Sequence, residues 1–214
     1  NIEIDHSVYV NTIVSPSNTS AIVQAIQIPG IAGMENNMLI FDYDKEEPDD
    51  LDVIIDNYRM VNAGDFDICI LAVSRKPIFY KNGIHVWIKT YDELNANLMI
   101  LMSFIILGHP DWKKSSIKIY YFCREDEKEA VKVWFDELIM SGRMPIYQHN
   151  IEIVVRKDDT SYKKTIADYS SEAGMTIIGF TAEEGKQHVR DVLEGYDALG
   201  RVLFVNASSA KKIE

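Results

Sequence analysis

Short apolar runs alternate with helical patterns along the chain, and this alternation restricts the fold more than any other feature. Between the runs, apolar residues recur with helical spacing, most clearly at Val131, Trp134, Phe135 and Leu138, with Gly142 placed to end the helix. Strands that alternate with helices indicate βαβ units and a mainly parallel sheet, whose strands are buried on both faces. The runs predicted as strands are 8–14, 38–43, 67–73, 84–89, 116–123, 151–156, 175–180 and 202–207.

The order of these elements contains a repeat. One predicted helix carries Leu51, Ile54, Ile55 and Tyr58, and a second carries Val189, Val192, Leu193 and Tyr196, 138 positions later (51 to 189, for example). A predicted strand precedes each helix, and a glycine and another strand follow it. We interpret this pattern as two copies of one doubly wound unit.

The second copy is complete, with five strands and four helices between residues 84 and 207, whereas the first shows only its last three strands. We therefore predict an α/β fold of two tandem, doubly wound, mainly parallel subdomains, at 1–80 and 81–214. The first subdomain would lack its first strands. Because the chain starts at Asn1 rather than Met, we expect it to be a fragment of a longer protein.

The stretch NLMILMSFIILG at 97–108 is apolar on every face. It is too short to span a bilayer, which needs roughly 17–25 apolar residues. We predict that it is the first helix of the second copy and that it packs on its own sheet and on a neighbour. That neighbour is either the other copy or a second chain.

Composition excludes several partners. The net charge is -11, which argues against nucleic acid and against docking on an anionic membrane, because both are bound mainly through Lys and Arg. We therefore predict no nucleic acid and no direct lipid binding. Cys69 and Cys123 lie in apolar runs and are predicted to be buried free thiols, as in a reducing compartment.

No set of residues with catalytic spacing is present, so we expect no enzyme activity, no metal and no cofactor. The chain lacks G-x-G-x-x-G, G-x-x-x-x-G-K-[ST] and G-x-S-x-G, and its five histidines have no zinc-site spacing. The acidic run at 42–52 does not match a calcium loop. We predict that Asp49 and Asp50 cap a helix. The hydroxyl-rich run at 15–20 is expected either to cradle a phosphate or to cap another helix that begins near Asn18.

Two stretches carry a family resemblance. Residues 83–122 include Val86, Trp87, an apolar helix at 94–107, and then Trp112, Lys113, Lys118, Ile119 and Phe122. Residues 30–73 include Gly30, Met34, Asn37, Leu39, Ile40 and Phe41. Both stretches resemble the C-terminal cytosolic domain of cation-chloride cotransporters, although Glu35 and Asn36 stand where that family usually has Lys and Pro.

The resemblance implies two universal-stress-protein-like halves in a non-catalytic domain on the cytoplasmic side of the cell membrane. It implies that the domain regulates and dimerises a protein that moves Na+, K+ and Cl- together. The expected partners are a second copy of the chain and the transmembrane domain of the same polypeptide.

Eight residues are predicted to form interfaces. By analogy with dimers of this fold, the runs at 67–73 and 202–207 are expected to pair edge to edge and join the halves. The candidate interface residues are Leu98, Leu101, Met102 and Ile105 on the apolar helix, and Ile68, Ile70, Val202 and Phe204 on the two strands.

Two alternatives remain open. The first is a stand-alone, universal-stress-protein-like nucleotide-binding protein, which the missing glycine motif disfavours. Gly179, near the end of the corresponding strand, and Gly185, after that strand, do not have the required spacing. The second is an enzyme of the doubly wound class.

Overall fold

A computed structural model describes residues 12–29, 36–90, 92–140, 142, 145–156 and 160–211, without the side chain of residue 93. The chain forms two compact units, 1–36 and 37–214. The first contains helix α1 (Asn18–Ile26), and Ser17 caps it by accepting a hydrogen bond from the Ser20 N–H. This confirms the predicted cap and helix start.

The predicted strand at 8–14 is not confirmed. Residues 8–11 lie outside the described part of the chain, and residues 12–14 are not in a strand. Val14 is almost entirely exposed, so this residue is not buried in a sheet.

The second unit contains one seven-stranded sheet. Its strands are β1 (Met38–Asp44), β2 (Asp67–Val73), β3 (Ile84–Lys89), β4 (Ile117–Cys123), β5 (Ile151–Val155), β6 (Met175–Gly179) and β7 (Val202–Asn206). The strand order is β1-β2-β7-β6-β3-β4-β5. All neighbouring strands are parallel except β2 and β7, which are antiparallel.

The α/β class and the mainly parallel sheet are therefore as predicted. We call β1, β2 and the helix between them the first half, and β3–β7 with their helices the second half. The second half has the predicted five strands and four helices. The helices of the sheet unit are α2 (Asp49–Ala63), α3 (Glu93–Leu107), α4 (Lys128–Met140), α5 (Tyr162–Ser170) and α6 (Ala182–Leu193).

Two local predictions about helices were wrong. Tyr196 does not lie on α6, because the backbone becomes extended at Glu194 and Gly195 has a φ of 81°. Asp49 and Asp50 do not cap α2. They lie in its first turn, after an N-cap at Pro48 that makes no side-chain bond. In that turn their negative charges still interact favourably with the positive end of the helix dipole.

Helices cover both faces of the sheet. On one face, α3 and α4 pack over alternate residues of the central strands, with Val86, Ile88 and Met99 fully buried. On the other face, Trp87 stacks on Tyr120 at 4.5 Å between ring centroids, beneath rings of α5. Because β3–β7 are parallel, their carboxyl ends share one edge of the sheet. Cys69 and Cys123 are buried free thiols, as predicted.

Candidate functional site

The four predicted interface residues of α3 separate into two pairs. Leu98 and Met102 are buried, whereas Leu101 is 39% exposed and Ile105 is 60% exposed. Leu94 is also exposed, and its spacing of seven residues from Leu101 places it on the same side of the helix. We call Leu94, Leu101 and Ile105 the α3 outer face. Sequence reasoning missed Leu94, although its spacing pointed to it.

The four predicted interface residues on strands are all buried where the halves join. Ile70 lies opposite Phe204, Ile68 opposite Asn206, and Ala72 opposite Val202. The predicted edge-to-edge pairing of 67–73 with 202–207 is thereby confirmed. All four side chains are buried in the sheet. They therefore form part of the junction between the two halves of one chain.

Polar side chains of the first half also bind the loop between α6 and β7. The ammonium of Lys45 donates to the carbonyls of Tyr196, Leu199 and Gly200 at 2.7, 3.0 and 3.2 Å. Burial lowers the pKa of Lys45. The Tyr43 hydroxyl donates to the Leu193 carbonyl at 2.9 Å. Since a buried carbonyl needs a donor, these bonds hold the loop against β1.

A pocket of about 500 Å³ opens over the carboxyl ends of β3 and β4, beside the N-terminus of α5. Open doubly wound sheets usually bind ligands at this edge. Its lining includes Lys89, Arg124 and Arg156, together with Glu127 and Glu184. We call it the carboxyl-edge pocket.

Most of the charge in this pocket is already paired. Lys89 lies 2.9 Å from Glu184, and Arg124 lies 3.0 Å from Glu127. Burial acts to raise the pKa of Glu184, but the Thr181 N–H and Lys89 outweigh it, so the pKa is lowered. A hydrogen bond from the Arg124 N–H is the main cause that lowers the pKa of Glu127, so both carboxylates are ions that neutralise neighbouring cations.

The cysteine described in the lining of the carboxyl-edge pocket is not an activated nucleophile. Cys123 lies in its lining but is buried, and burial raises the pKa of its thiol. A thiol with a raised pKa is a poor nucleophile. Among the described residues, no three His, Cys, Asp or Glu side chains come together in a way that could hold a metal ion.

Gly179, the last residue of β6, and Gly185 of α6 serve packing. A Cβ at Gly179 would overlap the carboxylate of Asp92, and one at Gly185 would overlap the ring of Tyr58. Glycine is needed at both places because another side chain occupies that space.

Comparison with known proteins supports the fold. No protein-family model matches the sequence, and no curated protein matches it. A solved structure, the cytoplasmic domain of a prokaryotic cation chloride cotransporter, matches with a TM-score of 0.59 and 16% identity, over 91% of this chain and 72% of that one. The two chains share a fold.

A protein of unknown function from Pseudomonas aeruginosa matches with a TM-score of 0.49 and 14% identity, over 91% of this chain and 69% of that one. No helix in the described part of the chain is long and apolar enough to cross a membrane.

Proposed function

We propose that this chain is the cytosolic regulatory and dimerisation domain of a secondary active cation-chloride cotransporter that moves Na+, K+ and Cl-. In this proposal the domain is non-catalytic and needs no cofactor. The observation that carries the proposal is the fold similarity to a cotransporter's cytoplasmic domain over 91% of the chain. The family resemblance at 30–73 and 83–122 supports it independently.

In this proposal the transmembrane domain belongs to the same polypeptide, and the test is the coding DNA upstream of Asn1. A transporter requires about ten to twelve apolar stretches of roughly 20 residues each, in the same reading frame. An initiator codon only one or two strand-helix pairs upstream would overturn the proposal.

The α3 outer face is the surface that we assign to dimerisation. Its three large aliphatic side chains lie outward on a helix whose other sides are buried. Burying such surface against a second copy is favourable by roughly 25 cal/mol per Å² before the costs of association. A self-complementary apolar face is also what a two-fold dimer requires.

Sedimentation equilibrium with one matched pair of variants tests the dimer. The native chain is expected to approach twice its mass of 24.5 kDa at high concentration. Ile105→Glu should return it to the monomer. The control is Val133→Glu on α4, because Val133 is 58% exposed against 60% for Ile105 and lies outside the α3 outer face. A monomeric native chain, or equal loss of association in both variants, would contradict the assignment.

Nucleotide binding is the second candidate, and the carboxyl-edge pocket is the observation that favours it. Lys89, Arg124 and Arg156 could face phosphates there. Against it stand the missing glycine motif and the two carboxylates in the lining. Calorimetric titration with ATP separates the candidates, since heat that saturates at one site per chain would favour the nucleotide-binding protein.

A further inference from the structure

A buried aspartate lies between the carboxyl end of β3 and helix α3. Asp92 is only 2% exposed. Its Oδ1 accepts a hydrogen bond from the Asn95 amide at 2.5 Å. Within the described part of the chain, its Oδ2 has no hydrogen-bond partner. A buried carboxylate normally accepts several bonds or pairs with a cation, so this arrangement suits a neutral carboxyl group better than an ion.

The side chains around Asp92 compensate a negative charge only in part. From the end of β3, Lys89 exerts an attraction, but its ammonium is already bound to Glu184 at 2.9 Å. From α6, Glu184 repels Asp92. From α5, the Tyr162 hydroxyl is buried and also has no partner within the described part of the chain. Burial is the main cause that raises the pKa of Asp92 to about 7.

Asn95 connects Asp92 to the residues that directly follow two strands, β6 and β7. Its amide nitrogen also donates to the Phe180 carbonyl at 2.8 Å, and its carbonyl oxygen accepts from the Ala207 N–H at 2.6 Å. The side chain therefore uses both amide hydrogens and the oxygen within buried structure. A displacement of Asn95 would disturb the chain where β6 and β7 end.

The connection continues to the first half. The Phe180 carbonyl also accepts a hydrogen bond from the Asn206 amide at 3.0 Å, and the Asn206 oxygen accepts one from the Tyr58 hydroxyl of α2 at 3.0 Å. We call this continuous path the polar relay: Asp92, Asn95, the Phe180 carbonyl, Asn206 and Tyr58. It starts at α3 in the second half and ends on α2 in the first half.

We infer that Asp92 is a pH-responsive element whose ionisation acts through the polar relay on the junction between the two halves. A carboxylate accepts a stronger hydrogen bond than a neutral carboxyl group does. Ionisation therefore draws the Asn95 amide towards Asp92 and weakens its bond to the Phe180 carbonyl, the acceptor that Asn95 shares with the Asn206 amide. This inference concerns the chain itself and does not rest on the transporter assignment.

Side-chain amide resonances of Asn95 and Asn206, followed by NMR from pH 5 to 8.5, test the relay. In the native chain both resonances should shift with a common midpoint near neutral pH. In Asp92→Asn neither should shift over that range. If Asn95 shifts and Asn206 does not, the relay is wrong. If neither shifts in the native chain, Asp92 is not a pH-responsive element.

A second buried aspartate provides the matched control. Asp67 is buried like Asp92, but it accepts from the Ser208 N–H and pairs with Lys211, both at 2.8 Å. Asp67→Asn should leave the shared midpoint in place, and its loss there would overturn the assignment to Asp92. Should Asp92→Asn fail to fold, the carbon-13 shift of the Asp92 carboxyl group in the native chain gives the midpoint directly.

The unfolding equilibrium gives an independent readout. A carboxyl group whose pKa is higher in the folded than in the unfolded state loses its stabilising effect as pH rises. The ratio of the native unfolding constant to that of Asp92→Asn should therefore increase by about tenfold per pH unit between pH 5 and 6, and level off above about pH 7. A constant ratio would contradict the inference.

Discussion

Arg190 of α6 forms an ion pair with Asp52 of α2, and 138 residues separate them. The same offset relates the two repeated helices in the sequence, so these residues occupy equivalent positions in the two copies. Equivalent positions meet when two copies are related by an approximate two-fold axis, as in an isologous dimer. The antiparallel pair β2–β7, made from the last strand of each copy, fits the same relationship.

Gly185→Ala should destabilise the sheet unit by about 1–3 kcal/mol, since its methyl group would overlap the ring of buried Tyr58. Urea unfolding followed by circular dichroism measures this change. Gly200→Ala is the control, because the nearest atom to a Cβ there is the Ala173 carbonyl oxygen at 3.9 Å. Equal effects of the two substitutions would mean that contact with Tyr58 is not the reason for glycine at 185.

Two residues of α3 that stand two positions apart should respond very differently to truncation. Met99 is fully buried in the core beneath the helix, so Met99→Ala should cost about 2–5 kcal/mol of the free energy of unfolding. Leu101 is on the α3 outer face, and Leu101→Ala should change the same quantity by less than about 0.5 kcal/mol in the monomer. Chemical denaturation at low protein concentration compares them. Similar losses would show that α3 is rotated from the orientation described.

His85 should make the protein less stable in mild acid. Its Nδ1 lies 2.9 Å from the Ser170 hydroxyl, and its ring contacts Tyr120. Burial, followed by repulsion from Lys118, lowers the pKa of His85 to about 4 while Glu152 acts in the opposite direction. Because the folded pKa lies below the unfolded value of about 6.5, the histidine's contribution is present above pH 6.5 and is lost as pH falls through 4.

Between pH 6.5 and 4 the free energy of unfolding should fall by on the order of 2–3 kcal/mol, relative to a variant in which residue 85 does not titrate. His85→Asn should flatten that part of the stability profile, whereas His109→Asn, at an exposed position, should leave it unchanged. Thermal unfolding across this pH range gives both profiles. A native profile parallel to that of His85→Asn would contradict the prediction.

Lys45→Met should loosen the loop between α6 and β7. The substitution keeps an aliphatic chain but removes the donor to three carbonyls. The free energy of unfolding should therefore fall by about 1–3 kcal/mol. Lys76→Met is the matched control. The exposed Lys76 ammonium donates to the Asp197 and Ala198 carbonyls of the same loop, and there water can replace the ammonium as the donor. Hydrogen exchange of the loop amides should rise more in Lys45→Met, and a larger rise in Lys76→Met would refute this.

The positions of the sheet's strands along the chain could be predicted from the sequence. Seven predicted runs agree with the observed strands to within one residue at each end, because strands buried on both faces must be continuously apolar. The repeat, together with the analogy to dimers of the resembled fold, also predicted the pairing of β2 with β7. The eighth predicted run, at 8–14, is not confirmed: its residues 12–14 are not in a strand, and residues 8–11 lie outside the described part of the chain.

The apolar character of α3 by itself could not show which of its faces is covered. Leu98 and Leu101 are identical in chemistry, yet one is buried and the other is exposed. Tertiary packing decided this, because a helix that is apolar on all sides carries no polar stripe to mark its outer face.

What the sequence determined by itself is the α/β class, the repeat and the buried strands, since these depend on local periodicity. The tertiary structure alone decided the polar contacts between distant segments. Asp92, Asn95, Asn206 and Tyr58 are ordinary polar residues in the sequence, and only folding makes them one buried relay. Their chemistry depends on burial and on partners up to 148 residues away, which periodicity along the chain does not encode.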